Sequence, residues 1–150
     1  MNCPGCEIKK LIYRYADHID RGELAAVAAL FARGKIIAID GDGNDQDIIG
    51  EAAIHVMYSA FTRLYPDSGT PHTLHMTSNV MVDVDDSGTV ASAQSYAMVF
   101  QSVDTLPLQP IIGVRYYDAF EKTADGWHFV QRKIEPLLSG DLSQHLLQAP

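Results

Sequence analysis

The sequence predicts an α+β domain, with helices in its first half and a meander of antiparallel strands in its second. Three observations carry that reading. Up to about residue 64, apolar residues recur at three- and four-residue spacing, the mark of helices with one buried face. From residue 72 onward the period falls to two, as in strands that bury one face. Asp85-Asp86-Ser87-Gly88 and Ala124-Asp125-Gly126 then interrupt the strand runs with residues suited to hairpin turns.

In chain order, Ile8, Leu11, Ile12, Tyr15 and Ile19 predict a helix from about residue 6 to 19. Asp20-Arg21-Gly22-Glu23 reads as a capping box, Asp20 accepting from the first turn of a second helix that runs to about Ala32. Lys35 to Ile39 is a short β-rich run. A third helix is expected from Gly50 to about Leu64, stopped where Tyr65 precedes Pro66, since a residue before proline is pushed out of the helical region. Strands are expected at 73–84, 89–102, 111–123 and 127–135. Residues 105–110 carry Pro107 and Pro110 and are expected to be a loop, because proline cannot donate to a central ladder. The tail after Pro136 is expected to form a short helix. We expect one domain over 1–150, with 1–6 and 139–150 as loose tails. A twisted sheet of this length can curl around the helices and enclose a cavity.

Composition narrows the function. A chain of 150 residues with 47% hydrophobic content can build one real core. A net charge of -8 argues against a nucleic-acid partner, which would require clustered Lys and Arg. No apolar run reaches the roughly 18–20 residues needed to cross a bilayer, and the first residues lack a basic and apolar leader pattern; a cytoplasmic protein is expected. Cys3 and Cys6 form a C-x-x-C pair without a preceding strand, so a tail dithiol is favoured over a redox site. Asp40, Asp42, Asn44 and Glu51 imitate a calcium loop, but Asp45 stands where the turn needs glycine. His72 and His75 lie three residues apart on a strand and so face opposite ways. Neither a metal nor a cofactor is expected, and no phosphate loop or G-x-S-x-G is present.

The residues that remain are acid–base groups. Tyr15 and Asp20 close the first helix, and His75 opens the first long strand. A carboxylate that orients an imidazole, with a phenol as proton donor, forms a general acid–base set that needs no cofactor. Alternation from His75 places Thr77, Asn79, Met81 and Asp83 on its face, and neighbouring strands offer Tyr96, Phe100, Tyr116 and Phe120. Such a polar and aromatic lining suits a small hydrophobic or aromatic substrate. Tyr15 and Asp20 lie about 140° apart on a straight helix, so they share a pocket only if the chain turns after Ile19.

The chain also resembles a known family. Tyr15-Ala16-x-x-x-Asp20-x-Gly22-x-Leu24, His75-x-x-x-Asn79 and Gly126-Trp127-x-Phe129-x-x-Arg132 resemble the polyketide-cyclase-like and scytalone-dehydratase-like branch of the nuclear-transport-factor-2-like superfamily. The resemblance spans about residues 7 to 138. It implies a cone-shaped α+β barrel enclosing a pocket, with three N-terminal helices packed on a strongly curved sheet. It further implies catalytic Tyr15, Asp20 and His75, with Arg132 assisting a leaving group, and a homodimer or homotrimer formed through the sheet. Two positions depart from scytalone dehydratase: its tyrosine before the aspartate is Ile19 here, and its second catalytic histidine falls at Phe100. Both changes speak against scytalone itself as substrate.

The expected activity is therefore a cofactor-independent lyase, a dehydratase of a cyclic or aromatic hydroxy-carbonyl compound. The same proton abstraction would serve an isomerase or cyclase, and the same fold could act as a non-catalytic binding or assembly module.

Overall fold

The computed structural model describes residues 3–148. Helix α1 (Pro4–Asp20) begins with proline in its first turn, where the missing N–H costs nothing. It buries Ile8, Ile12, Tyr15, Ala16 and Ile19. Helix α2 (Leu24–Ala29) and helix α3 (Glu51–Phe61) complete the helical layer. Strands β1 (Lys35–Ile39) and β2 (Asp45–Ile49) form an antiparallel pair before α3. The meander is β3 (Thr73–Val84), β4 (Val90–Val103), β5 (Leu106–Thr123) and β6 (Gly126–Ser139).

The strands form one six-stranded sheet in the order β2-β1-β6-β5-β4-β3. Among the described residues only β1 and β6 pair in parallel. The fold is the expected α+β plan with a curled sheet around the helices, but the sheet stays open, with β2 and β3 as its edges. Small residues let the helices approach: Ala91, Ala93, Ser95 and Ala97 form the inner face of β4. The core packs Phe31, Phe120 and Phe129 against Ile8, Ile12 and Ile54.

Several local expectations are corrected. Asp20 does not cap α2; it is the last residue of α1, Glu23 takes the cap position, and the Asp20 carboxylate turns toward β3. The acidic stretch after Asp40 contains β2, an edge strand that its polar sequence concealed. Its carboxylates have internal partners, Asp45 with Lys133 and Asp47 with Lys35, while Asp40 accepts from the backbone of Asp42 and Asn44. Helix α3 ends at Phe61 because Thr62 leaves it to bridge Leu146. Pro107 and Pro110 lie within β5, at a stretch where register shifts relieve the ladder. Beyond Pro136 the chain continues as β6, and the following segment packs against the end of α3 instead of forming a helix.

Candidate active site

Gly22 sets the geometry. Its φ of +73° turns the chain left-handedly after α1, and a Cβ there would lie 2.1 Å from the Gly69 carbonyl oxygen. The tight turn leaves the Asp20 carboxylate facing the start of β3. Oδ2 accepts the backbone N–H of His75 at 2.8 Å, and Oδ1 accepts the Thr73 hydroxyl at 2.8 Å. Oδ1 also lies 2.6 Å from His75 Nδ1. A carboxylate at Nδ1 fixes the proton there and leaves the lone pair on Nε2. The His75 side chain is only 7% exposed.

His75 opens onto a cavity of about 530 Å³ between the helices and the inner sheet face. Tyr15, Tyr58, Tyr116 and His145 line it together with apolar residues such as Val99 and Ile134. The Tyr15 and Tyr58 hydroxyls are hydrogen-bonded to each other. Burial first, and then the neighbouring phenol, pushes the Tyr15 pKa far up; burial also raises those of Tyr58 and Tyr116. All three phenols therefore keep their protons at neutral pH.

Behind the phenols lies a buried ion pair. Arg132 donates from Nε to Asp118 Oδ1 at 2.8 Å and from Nη2 to Oδ2 at 2.7 Å, and both side chains are 0% exposed. Its guanidinium lies 3.8 Å from the centre of the Tyr116 ring and 4.3 Å from that of Tyr15. Burial works against the charge, but the Asp118 carboxylate outweighs it and raises the Arg132 pKa. A bulge brings Arg132 inward: Phe120 pairs Phe129 and Ala119 pairs Gln131, so Val130 is the extra residue.

Of the residues expected at the site, the structure brings together Tyr15, Asp20, His75 and Tyr116. Arg132 is close to them but is shielded by aromatic rings and is not part of the cavity wall. Three are displaced. Asn79 is exposed, with φ +52°, in a bulge between Ser78 and Met81 that reverses the alternation of β3, so that Val80 and Val82 turn inward. Tyr96 is on the outer sheet face, where its hydroxyl accepts from Arg115 at 3.2 Å and its ring lies beneath the guanidinium. Phe100 shares that outer phase, opposite Leu74. Register between strands decides these placements, and single-strand alternation does not contain it.

Sequence reasoning missed Tyr58, Asp118 and His145. Tyr58 stood on the apolar stripe of α3. Asp118 lies two residues from Tyr116 on one strand, which was a usable signal. His145 lies in the segment expected to be loose.

Many solved structures share the fold, among them the following three. A nuclear-transport-factor-2-like protein with a cystatin-like fold from Novosphingobium aromaticivorans is 23% identical, with a TM-score of 0.73 over 97% of this chain and 90% of that one. A candidate scytalone dehydratase from the same organism is 21% identical, with a TM-score of 0.69 over 91% and 85%. A candidate aromatic ring hydroxylase, also from that organism, is 20% identical, with a TM-score of 0.71 over 95% and 99%. No curated protein matches the chain significantly. The sequence profile of the SnoaL-like domain matches residues 6–133. With that match over most of its length, the chain belongs to the SnoaL-like domain family.

Proposed function

We propose that the protein is a cofactor-independent lyase, a dehydratase of a cyclic or aromatic hydroxy-carbonyl compound. The observation that carries this reading is His75, held through Nδ1 by Asp20, with no hydrogen-bond partner for Nε2 among the described residues, beside a phenol pair in a largely apolar cavity. The likeness to a candidate scytalone dehydratase supports the reaction class, although the fold itself hosts many chemistries.

His75 Nε2 takes the proton next to the substrate carbonyl, and Asp20 stabilises the imidazolium that forms. Two hydroxyls that share one hydrogen bond keep one O–H free, so the Tyr15–Tyr58 pair can donate to the carbonyl oxygen as enolate charge develops. His75 then returns its proton to the hydroxyl on the adjoining carbon, which departs as water while the C=C bond forms. Arg132 is enclosed, so we assign it to positioning Tyr15 and Tyr116 and not to the leaving group. An isomerase or cyclase would share the first step; loss of one water in product mass separates the dehydratase from both.

Exchange of α-hydrogens in D₂O detects proton abstraction whether or not a group departs. A panel of aromatic and cyclic ketones, with and without a β-hydroxyl, should show exchange with the wild-type protein. His75→Gln should slow it about 10²–10⁴-fold without unfolding the protein; an unchanged rate rejects the mechanism.

We also infer self-association through the outer sheet face, where Leu74, Met76 and Leu138 are 56%, 53% and 65% exposed. Among the described residues no helix is long and apolar enough to cross a membrane. A cytoplasmic setting fits the two unbridged surface thiols, Cys3 and Cys6.

A further inference from the structure

The segment after β6 carries a histidine that the mechanism above does not use. His145 lines the cavity together with His75. Its backbone is fixed: its carbonyl accepts the Arg63 N–H at 2.8 Å, and Leu146 bridges Thr62. The carbonyl of Gln144 accepts from the Tyr65 hydroxyl at 2.6 Å and from Gln101 Nε2 at 3.1 Å. The same Gln101 amide, 1% exposed, donates to the Pro71 carbonyl at 3.0 Å. One buried side chain thus ties the C-terminal segment to the lead-in of β3, the strand that presents His75.

The His145 ring has no hydrogen-bond partner among the described residues, and its Nδ1 is buried. A buried N–H without an acceptor is a rare and costly orphan, so the proton belongs on Nε2. Burial first, and then the nearby His75 ring, holds the His145 pKa down to about 4, with Asp20 opposing. At neutral pH the ring is therefore uncharged. A neutral imidazole protonated on Nε2 is a hydrogen-bond donor that keeps its proton, and it can polarise a carbonyl without transferring charge.

We propose that His145 is a second substrate-contacting residue of the site, donating from Nε2 to the oxygen of a neutral ketone while His75 moves the proton. This rests on the reading of the cavity as a carbonyl site. It gives the site a second imidazole, supplied by the C-terminal segment from a position unlike that of Phe100, which faces the outer side of the sheet.

The test compares 1-indanone with indane, which has the same rings and no oxygen. His145→Phe should weaken binding of 1-indanone about tenfold, the effect of one net hydrogen bond, and leave indane binding unchanged. His145→Gln, which keeps a donor near the Nε2 position, should restore most of the ketone preference. Imidazole ¹⁵N spectra of the wild type should show His145 as the neutral Nε2–H form at pH 7, shifting on addition of 1-indanone. Equal weakening for both probes, no ketone binding by the wild type, or a cationic His145 at pH 7 would each overturn the proposal. Exchange at the 1-indanone α-carbon separates the two readings. Exchange that needs His75 but not His145 defeats this inference alone, provided His145→Phe also leaves ketone binding intact. Ketone binding that needs His145, with no ketone of the panel exchanging, defeats only the acid–base mechanism.

Discussion

The Asp20 carboxylate grips His75 twice, at the backbone N–H and at the ring nitrogen Nδ1, 2.8 and 2.6 Å away. The double contact orients the ring and places the strand in one step. Asn at position 20 keeps the size but replaces one acceptor with a donor, which would face N–H and O–H groups. Asp20→Asn should therefore lower α-hydrogen exchange at least tenfold and destabilise the fold by about 1–3 kcal/mol, the cost of stranding a buried donor. Exchange kinetics and urea melts on the same preparation measure both effects; an unaffected rate would show that His75 works without its carboxylate.

Gly22 is the hinge of that arrangement. A side chain there meets both a positive φ and the Gly69 carbonyl oxygen. Gly22→Ala should cost more than about 1 kcal/mol and lower Tm by several degrees, while Gly43→Ala, also at positive φ but with open space around it, should cost less. Calorimetry on the two variants would show whether the close approach, beyond the backbone angle, matters.

The contrast between these residues and Asn79 shows what a sequence can express. The span of β3, the helical stripe through Tyr15 and the pairing of Asp20 with His75 follow from periodicity, turn residues and chemical complementarity within or between well-marked elements. The outer positions of Tyr96 and Phe100 do not, because the register of β4 against β3 decides them. It sets Val99, not Phe100, opposite His75, and strict alternation along β4 then turns Tyr96 and Phe100 outward. Asparagine inside a strand was a hint, since it tolerates a left-handed backbone. The partners Tyr58, Asp118 and His145 come from three separate elements, and only the closed fold shows that they meet around one cavity and its floor.

Asp118 and Arg132 should prove sensitive to loss of one partner and tolerant of losing both. A lone buried charge has no water to solvate it, so Arg132→Met should cost about 3–5 kcal/mol. The double variant Arg132→Met/Asp118→Leu should recover much of that stability. Denaturant melts of the two singles and the double form the thermodynamic cycle; additive losses would mean that the pair is not coupled. The double variant should still be slow in α-exchange, since Tyr15 and Tyr116 lose the guanidinium that packs against both rings.

The outer face of β3 gives a prediction about assembly. Leu74 and Met76 are more exposed than apolar residues on a lone sheet favour. Sedimentation velocity of the wild type should show a dimer or trimer, and Leu74→Lys/Met76→Lys should yield a folded monomer. Unchanged assembly in that variant would move the interface elsewhere.

The depressed pKa of His145 makes stability depend on pH with a definite sign. Unfolded, an imidazole binds its proton near pH 6.5; folded, burial and the neighbouring His75 hold it neutral down to about pH 4. Between those values the unfolded chain carries more protons, so stability rises with pH. The contribution is complete above about pH 6.5 and is lost as the pH falls toward 4. Over that window it amounts to roughly 3 kcal/mol, at about 1.4 kcal/mol for each unit of separation. His75 and Asp20 face the same ring, so the comparison must isolate residue 145. His145→Phe should flatten the dependence between pH 6.5 and 4 relative to the wild type, whatever its effect on stability at pH 8. Urea midpoints measured across that range test it, and parallel curves for the two proteins would mean that His145 titrates normally in the fold and is not held neutral beside His75.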